Sequence, residues 1–163
     1  MNGVHERAVI PLDLDDTTTV LRILQLQQCA YQTEARLAGF REPPLLPDGI
    51  PSIRQSGEAF FGLFTGSPES DAQLIGAISA ADRGRSTELC RLMVHPDFMR
   101  QGIASALLEH LLAAYPQSPL FTVTVNARNA PAIALYEKFG FIPVNRKELG
   151  SSFLFIEMQL PAR

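Results

Sequence analysis

The sequence predicts a single α/β domain, a mixed and mostly antiparallel sheet of about six or seven strands flanked by about four helices. Three observations carry that prediction. Residues 59–94 hold three strand-forming runs separated by turn chemistry, and residues 87–125 read as a strand, a long amphipathic helix and a second strand. The chain of 163 residues is long enough for one real core and too short for two ordinary ones.

In chain order, Asp15 and Asp16 stand before a helical stretch over residues 17–28, and residues 31–37 read as a second helix with Gly39 as its stop. The Pro-rich stretch 43–51 is the one long break in periodic pattern and reads as a loop within the domain. Residues 59–64 and 73–80 form a hairpin whose turn draws on Gly66, Ser67, Pro68 and Asp71. Asp82, Arg83 and Gly84 then turn the chain into a third antiparallel strand over 87–94. Simple alternation puts Glu88, Cys90, Leu92 and Val94 on one face of it and Leu89, Arg91 and Met93 on the other.

Residues 101–115 are the clearest helix, because Ile103, Leu107, Leu108, Leu111 and Leu112 recur at helical spacing. Residues 120–125 follow as a strand parallel to the one before the helix, completing a crossover. A shorter helix over 130–139 has Asn129 as its cap, Pro131 in its first turn and Gly140 as its stop, and residues 141–144 and 153–160 close the sheet. Arg146, Lys147 and Glu148 read as a solvated turn between those last two strands.

Composition narrows the function. The chain has 14 Lys and Arg against 17 Asp and Glu, a net charge of −3, so it lacks the basic excess of nucleic-acid binders. His5, Glu6 and Arg7 precede only a short apolar run, and no later run approaches a membrane span, so a soluble cytoplasmic protein is expected. Cys29 and Cys90 make neither a disulfide framework nor a metal spacing, and His5, His95 and His110 have no ligand spacing, so no metal site is expected. His95, beside Pro96, reads as a turn residue.

The informative segment runs from Val94 to Ser105, a tight loop that carries the end of a strand into the long helix. The first N–H groups of a helix are unpaired and carry about half a positive charge, which suits a pyrophosphate. Gly102 lets the backbone approach such a ligand. Neither G-x-G-x-x-G nor G-x-x-x-x-G-K-[ST] occurs, so dinucleotide-fold and P-loop readings fall away.

The loop Met99-Arg100-Gln101-Gly102-Ile103-Ala104 resembles the phosphate loop [QR]-x-x-G-x-[GA] of the GNAT (acyl-CoA N-acyltransferase) superfamily. Met99 departs from that pattern, which has Gln or Arg there; the neighbouring cation Arg100 and the backbone donors compensate, and Ser105 resembles a further phosphate contact. A second stretch, from Asn129 through Ala132, Leu135 and Tyr136 to Gly140 and Phe141, is similar to the family's N-x-x-A-x-x-L-Y-x-x-x-G-F signature, in matching order. The resemblance implies the GNAT fold, with the sheet splayed between its fourth and fifth strands. It implies acetyl-CoA as acyl donor, bound by Leu92, Met93 and Val94 along the splay, by Met99, Arg100, Gln101, Gly102, Ile103, Ala104 and Ser105 at the phosphates, and by Asn129 and Tyr136 near the pantetheine arm and sulfur.

The chemistry then turns on the acceptor. A thiol of pKa about 8.5 leaves readily, with Tyr136 as a modest general acid, whereas deprotonating a lysine-type amine costs roughly 4 to 5 kcal/mol at pH 7. Glu88 is the candidate base, and an α-amine of pKa about 8 would need only about 1 kcal/mol of its help. Backbone N–H groups in the splay would stabilise the oxyanion of a tetrahedral intermediate by about 3 kcal/mol per donor. Each residue also has a plainer reading: Tyr136 as core packing, Glu88 as a cross-strand partner of a cation, Cys90 as a packed thiol rather than an acyl carrier.

The first expectation is a direct-transfer N-acetyltransferase acting on a primary amine, small molecule or protein. The alternatives are a non-catalytic CoA-binding module and an acyltransferase using a longer acyl-CoA. The acceptor is expected between the first two helices, the loop 43–56 and the turn 146–152, and a homodimer through strand edges is expected.

Overall fold

The computed structural model describes residues 8–37, 49–66, 72–150 and 153–162. Its sheet has seven strands: β1 (Ile10–Pro11), β2 (Ala59–Thr65), β3 (Gln73–Asp82), β4 (Thr87–Val94), β5 (Leu120–Asn126), β6 (Ile142–Leu149) and β7 (Phe153–Pro161). They lie in the order β1-β2-β3-β4-β5-β7-β6, and only β4 and β5 are parallel. Among the described residues four helices flank it: α1 (Thr17–Leu37), α2 (Ile50–Arg54), α3 (Ile103–Ala114) and α4 (Ala130–Lys138).

The sheet separates two cores. On one face α3 and α4 bury Ile103, Leu107, Leu108, Leu111 and Tyr136 against Ile78, Leu89, Val123 and Met158. On the other, α1 and α2 bury Val20, Ile23, Leu26 and Ile53 against Phe60, Leu74, Ala77 and Met93. Gly76 sets the height of α3 above the sheet, since a Cβ there would lie 2.7 Å from Ile103 Cγ2 and 3.0 Å from Leu107 Cδ1.

Several expectations need correction. The two helices expected over 17–28 and 31–37 are one helix, α1, because nothing between them breaks it and the Thr33 hydroxyl donates back to the Cys29 carbonyl (3.1 Å). The apolar pattern lapses at Gln27, yet Gln27 is buried because its Oε1 accepts from Arg91 Nη1 (2.6 Å). Asp16 begins α1, its carbonyl accepting from Val20 N and its carboxylate from Thr18 N and the Thr19 hydroxyl. The end of the expected 43–56 loop folds as the short helix α2; Gly39 and residues 43–48 lie outside the described residues, as do Ser67, Pro68, Asp71 and His5.

Arg146, Lys147 and Glu148 are not a turn. They belong to β6, an edge strand exposed along its length, where Lys147 reaches Glu157 of β7 at 3.7 Å. β1, not foreseen, pairs Ile10 and Pro11 with Gly62 and Phe61.

The most consequential correction concerns β4. Its pairing with β3 shifts between Ser79↔Arg91 and Ala80↔Leu89, which leaves Cys90 as an extra residue, a β-bulge. Strict alternation therefore fails. Leu89 joins Leu92 and Val94 on the α3 face, while Met93 lies in the α1 core and Arg91 turns to α1.

Gly76→Val is expected to lower unfolding stability by about 1 to 3 kcal/mol through overpacking under α3, read as a lower urea midpoint with an unchanged slope.

Candidate active site

β4 and β5 pair only through Thr87↔Phe121, Glu88↔Thr122 and Leu89↔Val123. Beyond the bulge they part, β4 remaining on β3 and β5 on β7. Among the described residues, 90–94 thus have no partner strand on the β5 side, so backbone groups of Leu92, Met93 and Val94 border a wedge rather than a ladder. The expected splay is there, between the fourth and fifth strands.

The wide end of β4 leads into the phosphate loop. His95 starts a short 3-10 turn over Pro96–Phe98, its Nδ1 accepting from Asp97 N (3.1 Å) and its ring edge-on to Phe98 at 5.8 Å. His95 is therefore the turn residue expected. Arg100 follows at φ +64°, the single positive φ recorded among described residues other than glycine, and Gly102 at φ +77°. An αL arginine costs about 1 to 2 kcal/mol, and such conformations collect where a backbone is shaped to hold a ligand. The first α3 bond runs from Ala106 N to the Gly102 carbonyl (3.0 Å), so the amides of Ile103, Ala104 and Ser105 precede the helical ladder. Nothing lies within 4 Å of where a Gly102 Cβ would stand, so the loop opens onto free space where an anion would dock. Met99, at 41 % exposed, presents a thioether beside it, and Arg100 and Gln101 are also exposed.

Tyr136 and Asn129 belong to α4 and its cap, which follow β5. Asn129 caps α4, its side-chain oxygen accepting from Ala132 N (3.2 Å). Tyr136 is 4 % exposed, within the α3–α4 core and edge-on to Phe141 at 5.4 Å. The core-packing reading of this tyrosine is what its burial and ring contact describe.

Glu88 stands at the closed end of the wedge, 38 % exposed. Its Oε1 accepts from Arg83 Nε (3.1 Å) and Nη2 (2.7 Å), both bonds falling on the same oxygen. Cys90 is the neighbouring thiol, donating to the Glu88 carbonyl at 3.5 Å. Burial first, then Glu58 and Glu88, push its pKa up to about 11, so at neutral pH it is a protonated, poor nucleophile.

A charged cluster that sequence reasoning passed over lies on the α1 face of the bulge. Arg91 donates from Nε and Nη2 to the two oxygens of Glu58 (3.0 and 3.2 Å), and its guanidinium lies 5.7 Å from the Phe60 ring centre. The Ser79 hydroxyl adds a 2.6 Å bond to Glu58, and the Arg91 and Glu58 side chains are only 14 % and 10 % exposed. The available signal was an arginine inside an apolar strand, a pattern that demands a buried partner. A separate cleft of about 300 Å³, lined by Asp82, Thr87, Tyr115 and Ser118 among others, lies at the start of β4 and contains no residue of the phosphate loop. Burial, and next Asp82, raise the Tyr115 hydroxyl above the usual phenol value. Among the described residues no group of three His, Cys, Asp or Glu side chains is arranged to hold a metal.

Comparison with known proteins agrees with this architecture. Residues 60–162 match the family described as acetyltransferase (GNAT) domain. UPF0157 protein YqkA of Bacillus subtilis is 33% identical over 126 residues, covering 77% of this chain and 35% of the relative. The [ribosomal protein bS18]-alanine N-acetyltransferase of Escherichia coli K12 is 47% identical over 55 residues, 32% of this chain and 37% of the relative. The matched stretches thus span about a third of the length of these two relatives.

Among solved structures, the ribosomal-protein-S18-alanine N-acetyltransferase from Escherichia coli superimposes with a TM-score of 0.72 at 23% identity, covering 95% of this chain and 93% of that one. Salmonella typhimurium yncA, determined with acetyl-CoA as its cofactor, gives 0.69 at 16% identity, covering 96% and 94%. The chain belongs to the GNAT acetyltransferase family, and its fold is the GNAT fold.

The Cys90 environment has a direct readout. In a Cys29→Ser background, the rate of Cys90 alkylation by iodoacetamide should keep climbing from pH 8 to pH 10, because thiolate forms only toward pH 11; a plateau by pH 9 would contradict the burial described.

Proposed function

We propose that this protein transfers an acetyl group directly from acetyl-CoA to a primary amine, and that the amine is the α-amino group of a peptide or protein. The observation that carries this is the wedge between β4 and β5 opening onto an N-terminal helix cradle in front of Gly102. Acetyl-CoA would supply the activated acyl group; Ile103, Ala104 and Ser105 amides with Arg100 would hold its phosphates, Gln101 and Met99 flanking them. The backbone of Leu92, Met93 and Val94 would align its pantetheine arm, with Asn129 and Tyr136 on the opposite wall. A neighbouring fold determined with acetyl-CoA, and a relative named for acetylating an alanine, support the donor and the α-amine.

In this reading Glu88 takes the proton from the incoming amine, directly or through water, while Arg83 fixes one of its oxygens. An α-amine of pKa about 8 costs only about 1 kcal/mol to deprotonate at pH 7, so a carboxylate that is partly exposed suffices. Tyr136 would act as the general acid that returns a proton to the departing thiolate. A cytoplasmic setting is part of the same proposal; no described helix is long and apolar enough to cross a membrane. So is a homodimer through the exposed edge of β6, where Ile142, Val144 and Leu149 are 55 %, 45 % and 61 % exposed.

Two measurements test this. In calorimetric titration the wild type should bind CoA and acetyl-CoA in the micromolar range, and Gly102→Glu, which puts charge and bulk into the open cradle, should bind neither. Binding without turnover on any amine would favour the non-catalytic module, and faster turnover with longer acyl-CoA donors would favour the larger acyl group. For Glu88→Gln acting on a peptide α-amine at pH 7, kcat/KM should fall about tenfold and the deficit should shrink as pH rises past the amine pKa near 8; on a lysine-type amine the fall should approach about a thousandfold.

A further inference from the structure

No step of the proposed transfer uses the cleft at the start of β4. It holds about 300 Å³, at the lower end of the range for small-molecule sites. Three parts of the chain wall it: the β3–β4 turn brings Asp82, β4 brings its first residue Thr87, and the end of α3 with the lead into β5 brings Tyr115 and Ser118. Neither Leu92, Met93 and Val94 nor residues 99–105 line it, so an occupant would not meet the donor loop.

Its hydrogen-bonding character is one-sided. Thr87 Oγ1 donates to Ser118 Oγ (2.7 Å), and Ser118 Oγ donates to the Leu120 carbonyl (3.0 Å). Both hydroxyl protons are therefore spent, and what remains on the two oxygens is acceptor capacity. Asp82 adds a carboxylate whose Oδ1 accepts from Gly84 N (2.8 Å), while among the described residues no hydrogen bond reaches its Oδ2. The last carbonyls of a helix lack partners within it and carry about half a negative charge, and the last turn of α3 has no basic residue to offset them.

No Lys, Arg or His lines the cleft; Arg83, in the same turn, is held by Glu88. An anion thus has nothing to meet here, and one carboxylate is too few for a hard divalent ion. Tyr115, its hydroxyl raised by burial and next by Asp82, stays a neutral phenol at pH 7.

We propose that this cleft is a second ligand site, which takes an alkylguanidinium ion among Asp82, Thr87, Ser118 and the carboxy end of α3. A guanidinium presents five N–H donors in a fixed plane, which suits acceptors that converge from separate elements, and it carries the charge that Asp82 and the helix end favour. A primary ammonium has three donors about one point and serves fewer of them. Pro116 and Pro119 give the alkyl stem an apolar border. The site stands apart from the acetyltransferase reading, and its failure would leave that reading untouched.

The test is titration of nitrogen-15-labelled protein with butylguanidine, followed through amide chemical shifts. The amides of Gly84, Thr87, Gln117 and Ser118 should move with a Kd of about 1 mM, those of residues 100–105 should not, and Gly102→Glu should bind as the wild type does. Butylurea, the neutral isostere, should bind about tenfold more weakly or worse, and butylammonium about threefold more weakly. Asp82→Asn keeps Oδ1 for Gly84 N and removes only the charge, so it should weaken butylguanidine about tenfold while its remaining spectrum shows the fold intact. Tighter binding of acetyl-Gly-Arg-Gly-amide than of butylguanidine would make a polypeptide arginine the natural occupant of the site, and weaker binding a free guanidine. Absence of shifts around the cleft at about twentyfold the expected Kd, butylurea matching butylguanidine, or Asp82→Asn matching the wild type would overturn the site.

Discussion

The structure depends on how soon β4 and β5 separate. Parallel strands joined by a crossover helix ordinarily pair along their shared length, because unpaired backbone groups are costly. Here the pairing stops after three residue pairs, and the next residue of β4, Cys90, is the bulge. A bulge adds local twist and bends its strand, and its place directly after the last paired position makes the parting abrupt. The wedge, the approach to the phosphate loop and the separation of Glu88 from the wide end all follow from that one extra residue.

The bulge also needs to be held. By restoring Arg91 to the α1 face it puts a guanidinium under a helix, where only a fully bonded charge is tolerated. Glu58, Gln27 and the Phe60 ring satisfy it, and Ser79 binds Glu58 from β3. The pair therefore joins α1 and three strands at the place where the sheet divides. Buried pairs are weak sources of net stability, but a slipped register would leave this arginine unbonded, so the network specifies the bulge against the regular strand.

Much of this was legible beforehand. The crossover from β4 through α3 to β5 and the α4 cap at Asn129 depend on local chemistry: leucines at helical spacing, an Asn before Ala-Pro, and glycines where φ turns positive. The bulge was not legible, because one added residue changes register without changing the composition of 87–94. β6 was curtailed because an edge strand exposed on both faces has no reason to alternate, so Arg146-Lys147-Glu148 carried only a charge signal. α1 was split because a buried glutamine resembles the end of an apolar stripe until its arginine partner, 64 residues away, is known. For the site, the loop before α3 was readable as a contiguous motif, whereas the Arg91–Glu58 pair joins residues 33 apart and was not.

Among the described residues the two cores lie on opposite faces of the sheet. Leu107, Leu108 and Leu111 settle one side, under the phosphate cradle, while Val20, Ile23 and Ile53 settle the other, roofing part of the side where an acceptor would approach. Sequence drift in α1 and α2 can therefore reshape that roof while the packing below the donor loop stays intact. A lineage built on this division could exchange acceptors repeatedly while keeping one acyl donor, its separate halves answering to separate selection.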